Sequence, residues 1–138
     1  MTKVIICGSI SATEEILEAK KQLEQMGHEV EIPKGVKSLE LRNRTEVSIE
    51  EKAGDKIKGD LIRGYFEKMK NYDAVIVVNP EKRGVRGYVG GNTLIEMAFA
   101  HVLGKQLYTL YALPEVSYSA EIIAMQPVVL RGDLSKIK

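Results

Sequence analysis

Hydrophobic positions along this chain follow two different spacings. Lys3 to Cys7 and Ala74 to Asn79 are short, nearly continuous apolar runs rich in β-branched residues. That is the pattern of strands buried on both faces of a sheet. Glu29 to Ile32, ended by Pro33, and Gln106 to Tyr111 read as two more strands, and Pro127 to Leu130 as a possible fifth. Between them the spacing becomes helical. Ile16, Leu17, Ala19, Leu23 and Met26 mark a helix that the hydroxyls of Ser11 and Thr13 can cap and that Gly27 closes. Asp55 to Lys70 predicts a second helix with Ile57, Leu61, Ile62, Tyr65, Phe66 and Met69 on one side. A third starts at Asn92 or Thr93, is apolar nearly all round, and stops at Gly104; Ala120 to Met125 suggests a short fourth.

Strand, glycine turn, helix and strand within about thirty residues make a βαβ unit with a right-handed crossover. The continued alternation predicts one domain over residues 1–138, a three-layer α/β sandwich with a parallel sheet of four or five strands, flavodoxin-like in order. Residues 34–54 have no fixed period. They read either as a mobile segment over the carboxyl edge of the sheet or as a solvated excursion.

Composition narrows the function without naming it. A formal net charge of +1 gives no basic face for polymeric nucleic acid. The lone Cys7 cannot form an internal disulfide, which suits a cytoplasmic location. The four apolar residues between Lys3 and Gly8 are too few for a signal peptide or a membrane span, so no membrane partner is expected. No His, Cys or carboxylate cluster has metal-ligand spacing, so neither a metal nor another cofactor is expected.

In an open α/β sheet, ligands bind beyond the carboxyl ends of the strands. Two turns reach that edge. Cys7-Gly8-Ser9-Ile10-Ser11 follows the first strand, where glycine admits a close ligand and helix-start amides suit an anion. Gly90-Gly91-Asn92-Thr93 precedes the third helix and offers the same chemistry. Asn79, at the end of the third strand, is counted with these binding residues. Glu96 lies three residues past Thr93 among Leu94, Ile95, Met97, Ala98, Phe99 and Ala100. It is either a capping-box carboxylate reaching back to Thr93 or a buried functional acid. Neither turn is a Walker A loop or a three-glycine dinucleotide fingerprint. Gly91-Asn92-Thr93 resembles a flavin phosphate loop, but that loop belongs after the first strand.

Ile5-Ile6-Cys7-Gly8-Ser9-Ile10, Tyr72-Asp73-Ala74-Val75 and Gly91-Asn92-Thr93-Leu94-Ile95-Glu96-Met97-Ala98-Phe99-Ala100 together resemble the nucleoside 2-deoxyribosyltransferase family. The Cys-Gly-Ser-Ile opening is similar to that of its deoxynucleoside 5′-monophosphate N-glycosidase relatives. The resemblance implies a flavodoxin-like homo-oligomer acting on a small-molecule nucleoside or nucleotide. It implies Glu96 as nucleophile on the anomeric carbon, forming a covalent deoxyribosyl intermediate. Cys7, Gly8, Ser9 and Ile10 would line the sugar and phosphate side, and Gly90, Gly91, Asn92 and Thr93 the other.

The chain departs from that pattern at its helper groups. Where the family carries an aspartate eight residues before the one entering strand three, this chain has Tyr65. The nearest upstream acid is Asp60, so Asp60 and Tyr65 join Glu96 as catalytic candidates. Six residues before Glu96 stands Gly90 in place of an aspartate, and Ser11 follows Gly-Ser-Ile in place of an arginine. Lys82, Arg83 or Arg86 can supply the missing charge. The competing expectation is a nucleotide-binding module of the same fold with little catalysis.

Overall fold

The computed structural model describes residues 2–37 and 60–138. Residues 38–54 of the aperiodic stretch, and the predicted start of the second helix at 55–59, lie outside the described residues. Five parallel strands form one sheet in the order β2-β1-β3-β4-β5. They are β1 (Lys3–Cys7), β2 (Glu29–Glu31), β3 (Ala74–Val77), β4 (Gln106–Thr109) and β5 (Val128–Val129). The helices that lie wholly within the described residues are α1 (Thr13–Gln25), α2 (Leu61–Met69), α3 (Gly91–Val102) and α4 (Ser119–Ala124). This is the α/β, flavodoxin-like arrangement that the alternation predicts.

Strand pleating divides the core into two layers. Val4, Ile6, Ala74 and Ile76 pack with Ile16, Ala19 and Leu23 of α1 and with Leu134 and Ile137 of the C-terminal segment. Ile5, Cys7, Val75 and Val77 point the other way, onto Tyr65 and Met69 of α2, Met97 and Ala100 of α3, and Ile122 of α4. Each of these strand residues is wholly buried, as expected for central parallel strands covered on both faces. In register, Cys7 pairs with Val77 and Val77 with Thr109, so three strands end level at the carboxyl edge.

Helix ends follow their local chemistry. Gly27 (φ +92°) and Gly104 (φ +71°) take the left-handed conformation that ends α1 and α3. The following amides, His28 N–H and Lys105 N–H, donate back to the Leu23 and Ala100 carbonyls. Asp73 receives the Lys3 N–H at 3.0 Å at the opposite, amino edge.

Several local expectations change. β3 ends at Val77 rather than Asn79. Ile62, expected on the buried side of α2, is 43% exposed. The N-cap of α3 is Gly90, in extended conformation and without a side-chain cap, rather than Asn92 or Thr93. α3 is also not buried all round: Ile95 is 41% and Val102 79% exposed, while Thr93, Glu96, Met97 and Ala100 form its buried stripe. Among the described residues, no helix is long and apolar enough to cross a membrane.

Candidate active site

β2 lies on one side of β1 and β3 on the other, so the connections after β1 and β3 depart in opposite directions. The crevice between them is the switch point of the sheet. Two turns build it. After Cys7, Gly8 passes so close to the neighbouring turn that a Cβ there would stand 3.0 Å from the Val78 carbonyl oxygen and 3.0 Å from Ile16 Cδ1. The chain then winds through a 3-10 turn, Ile10–Ala12, that Thr13 Oγ1 secures by donating to the Ile10 carbonyl at 2.5 Å. The hydroxyls of Ser9 and Ser11 are 2.5 Å apart at its mouth.

The turn after β3 is longer and is fastened at four points. Lys82 and Val85 exchange backbone hydrogen bonds across a tight turn whose centre, Arg83 (φ 52°) and Gly84 (φ 79°), is left-handed at both positions. Lys82 Nζ rests over the Tyr88 ring at 5.2 Å. Asn79, fully buried, holds the turn to the loop after β4 with its Nδ2 and Oδ1. The Tyr118 hydroxyl donates to the Val89 carbonyl just before α3.

Between the turns is a cleft of about 100 Å³. Ser9, Ser11 and Glu15 line one wall, and Lys82, Tyr88 and Thr93 the other. It has room for a sugar-sized group and is smaller than the roughly 300 Å³ at which typical ligand pockets begin. Gly90 also lines it, and the Gly91, Asn92 and Thr93 amides belong to the first helical turn, outside the intrahelical ladder.

Glu96 lies one turn beyond Thr93 on the buried stripe of α3 and is 7% exposed. With Gly90 as N-cap, it falls in the second turn of the helix, beyond the third position where a capping-box acid sits. Its carboxylate instead meets the Cys7 thiol, which donates a hydrogen bond to it. Burial, the Glu96 charge and that hydrogen bond push the Cys7 thiol well above its ordinary pKa, so it stays protonated. Tyr65 approaches from α2, and burial, followed by its charged surroundings including Glu96, raises its phenol in the same way. The Tyr65 hydroxyl donates to the Ile6 carbonyl.

The sequence-derived candidates therefore separate into groups. Glu96, Cys7 and Tyr65 come together beneath the cleft, with Gly8 beside Cys7. Ser9, Gly90 and Thr93 line the cleft, while Gly91 and Asn92 are exposed at the start of α3. Ile10 packs beside Gly35, away from the cleft lining. Asn79 has its whole amide committed to backbone groups. Asp60 stands apart: half exposed, it pairs with Arg63 at 2.9 Å. Glu15 and Glu81, both in the cleft, were not singled out from sequence. The available signal for Glu15 was its place in the first turn of α1, at the carboxyl edge. Comparison with protein-family models, curated proteins and solved structures found no match for this chain.

Proposed function

We propose that this chain cleaves or transfers at the N-glycosidic bond of a deoxynucleoside or its 5′-monophosphate, with Glu96 as nucleophile. The observation that carries the reading is the position of Glu96: a buried carboxylate at the carboxyl edge of β1, one helical turn from a sugar-sized cleft. A carboxylate is costly among apolar groups unless it is paired or has a task there.

In the proposed reaction a Glu96 oxygen attacks C1′ of the sugar and the C–N bond breaks. The base leaves with the electron pair and takes up a proton from solvent. Water then adds to C1′, its proton passing to solvent, and the sugar–Glu96 ester opens. Two displacements give net retention at C1′. If a second base takes the place of water, the same intermediate yields a new nucleoside. The serine hydroxyls and the α3 amides suit the oxygens of a sugar or phosphate.

The wild-type protein and Glu96→Gln should be incubated with the four deoxynucleosides and their monophosphates, with and without a free acceptor base. Base released by wild type and at least about 10³-fold more slowly by the variant supports the reading. Exchange without net hydrolysis identifies the transferase. Tight binding by both proteins with no turnover supports the second reading, a nucleotide-binding module. That reading is favoured by Asp60 standing in solvent and by the Tyr65 hydroxyl being engaged with Ile6. The proposal includes a homo-oligomer, supported by the exposed apolar side chains Ile62, Ile95 and Val102 on α2 and α3.

A further inference from the structure

We infer that Cys7 is a positioning residue for Glu96: its thiol, at the last position of β1, donates to the Glu96 carboxylate and fixes its place below the cleft. The inference rests on the reading of Glu96 as the nucleophile, and it begins from the geometry of the two elements. Side chains alternate along β1, so Ile5 and Cys7 face α2 and α3 while Val4 and Ile6 face α1. Cys7 is the residue at which that inward row reaches the carboxyl edge, level with Val77. The stripe of α3 turned to the sheet carries Thr93, Glu96, Met97 and Ala100, and Met97 and Cys7 share one core layer. The strand end and the helix stripe thus bring a thiol and a carboxylate face to face in a region closed to water; Cys7 is 0% exposed.

The pairing has a direction. A buried thiol beside a carboxylate keeps its proton, which leaves it a donor and removes it as a rival nucleophile. A hydrogen bond to the charged form of an acid favours that form, and a displacement at C1′ needs the charged form. Tyr65 of α2 is a further titratable group that faces Glu96, and β3 presents Val75 and Val77 to this layer. Because the Tyr65 hydroxyl is directed to the Ile6 carbonyl, the thiol is the side chain of β1 that addresses the carboxylate. The sulfur also contributes bulk: Cys7 packs in the same layer as Val77 and Val89, so the donor cannot swing away from its acceptor.

The test reads the carboxyl group directly. Protein labelled with ¹³C at glutamate carboxyls is titrated by NMR as wild type, Cys7→Ala and Cys7→Ser, with the Glu96 signal assigned by its loss in Glu96→Gln. Cys7→Ala is expected to raise the Glu96 midpoint by about one pH unit, and Cys7→Ser, which retains a donor, to restore most of the difference. If substrate turnover is found, the acidic limb of its pH–rate profile should move with the NMR midpoint, with kcat falling more than KM rises. A midpoint identical in wild type and Cys7→Ala overturns the inference, whatever happens to thermal stability. Because the titration needs no substrate, absence of glycosidic activity would refute the proposed reaction while leaving the Cys7–Glu96 coupling decided on its own.

Discussion

The side chain of Asn79 grips Tyr111 at both of its backbone groups: Oδ1 accepts the Tyr111 N–H at 2.9 Å and Nδ2 donates to the Tyr111 carbonyl at 3.2 Å. The same Nδ2 reaches the Ala112 carbonyl at 3.2 Å, and the whole group is buried. One amide therefore joins the turn after β3, which forms a wall of the cleft, to the loop after β4. Asn79→Ala would leave the Tyr111 N–H and the Gly87 and Ala112 carbonyls without this partner, while the Tyr111 carbonyl keeps the Thr109 hydroxyl. It is expected to cost about 2–4 kcal/mol in unfolding free energy by urea denaturation. Activity at saturating substrate should fall less than stability, since Asn79 supports the wall from behind.

Gly87 lies between those same loops. It has φ +68°, and a Cβ at this position would run into the Ala112 carbonyl oxygen. Gly87→Ala therefore meets both backbone strain and a steric clash. The variant is expected to lose roughly 2–4 kcal/mol and to loosen residues on both sides of Tyr88, measurable as faster amide exchange in 82–90. Gly84→Ala, whose φ is also positive but which has open space around it, should lose only about 1 kcal/mol.

At the far side of the sheet, Glu31 of β2 takes hydrogen bonds from Lys68 at 2.9 Å and from the Ile32 N–H at 3.1 Å, and it pairs with Lys37. Burial alone would raise its carboxyl pKa, but these partners together outweigh burial and bring it below the ordinary 4.5. A lowered folded pKa contributes stability that is present above the unfolded value and lost as pH falls through the folded one. Wild type should thus exceed Glu31→Gln in stability at pH 7. The two denaturation curves should converge as pH falls below about 4.5, where the unfolded and then the folded carboxyl take up protons.

Strand-forming runs made most of this architecture legible. Lys3–Cys7 and Ala74–Val77 are apolar on both faces because helices cover both sides, and no polar alternation obscures them. Asn92 and Thr93 are favourable caps by residue type and predict a later start for α3, whereas the extended conformation falls on Gly90. That shift of two or three residues is what takes Glu96 out of a capping box and into the second turn of the helix. Ile62 was misplaced for another reason: an apolar stripe predicts burial only when something covers it, and here the outer sides of α2 and α3 lie open. The Cys7–Glu96 contact joins residues 7 and 96, and no spacing rule within one element could supply it. Its two ends were both singled out, but as separate features of separate turns.

The uncovered apolar side chains give a further expectation. Val102 is 79% exposed, Ile95 41% and Ile62 43%, all on the neighbouring helices α2 and α3, which Phe66 and Phe99 join by an edge-to-face contact at 4.9 Å. By light scattering after size exclusion, wild type is expected to have at least twice the mass of the chain. Val102→Asp should reduce the association constant by 10-fold or more while leaving circular dichroism unchanged. A wild-type protein that is monomeric at micromolar concentration would refute this.

The near-contact of Gly8 with the Val78 carbonyl assigns different duties to different parts of the site. The floor is main chain, pressed together too tightly for any side chain, and its shape cannot be altered without moving two strands. The walls are the side chains Ser9, Ser11, Glu15, Lys82 and Tyr88, of which Ser11 is exposed and the others are partly buried. Substitutions there reshape the cleft at little thermodynamic cost, while the strand ends below hold the buried Glu96 in place. In a scaffold so divided, the shape and polarity of the cleft can change freely while the acid beneath it and the main chain around it stay fixed.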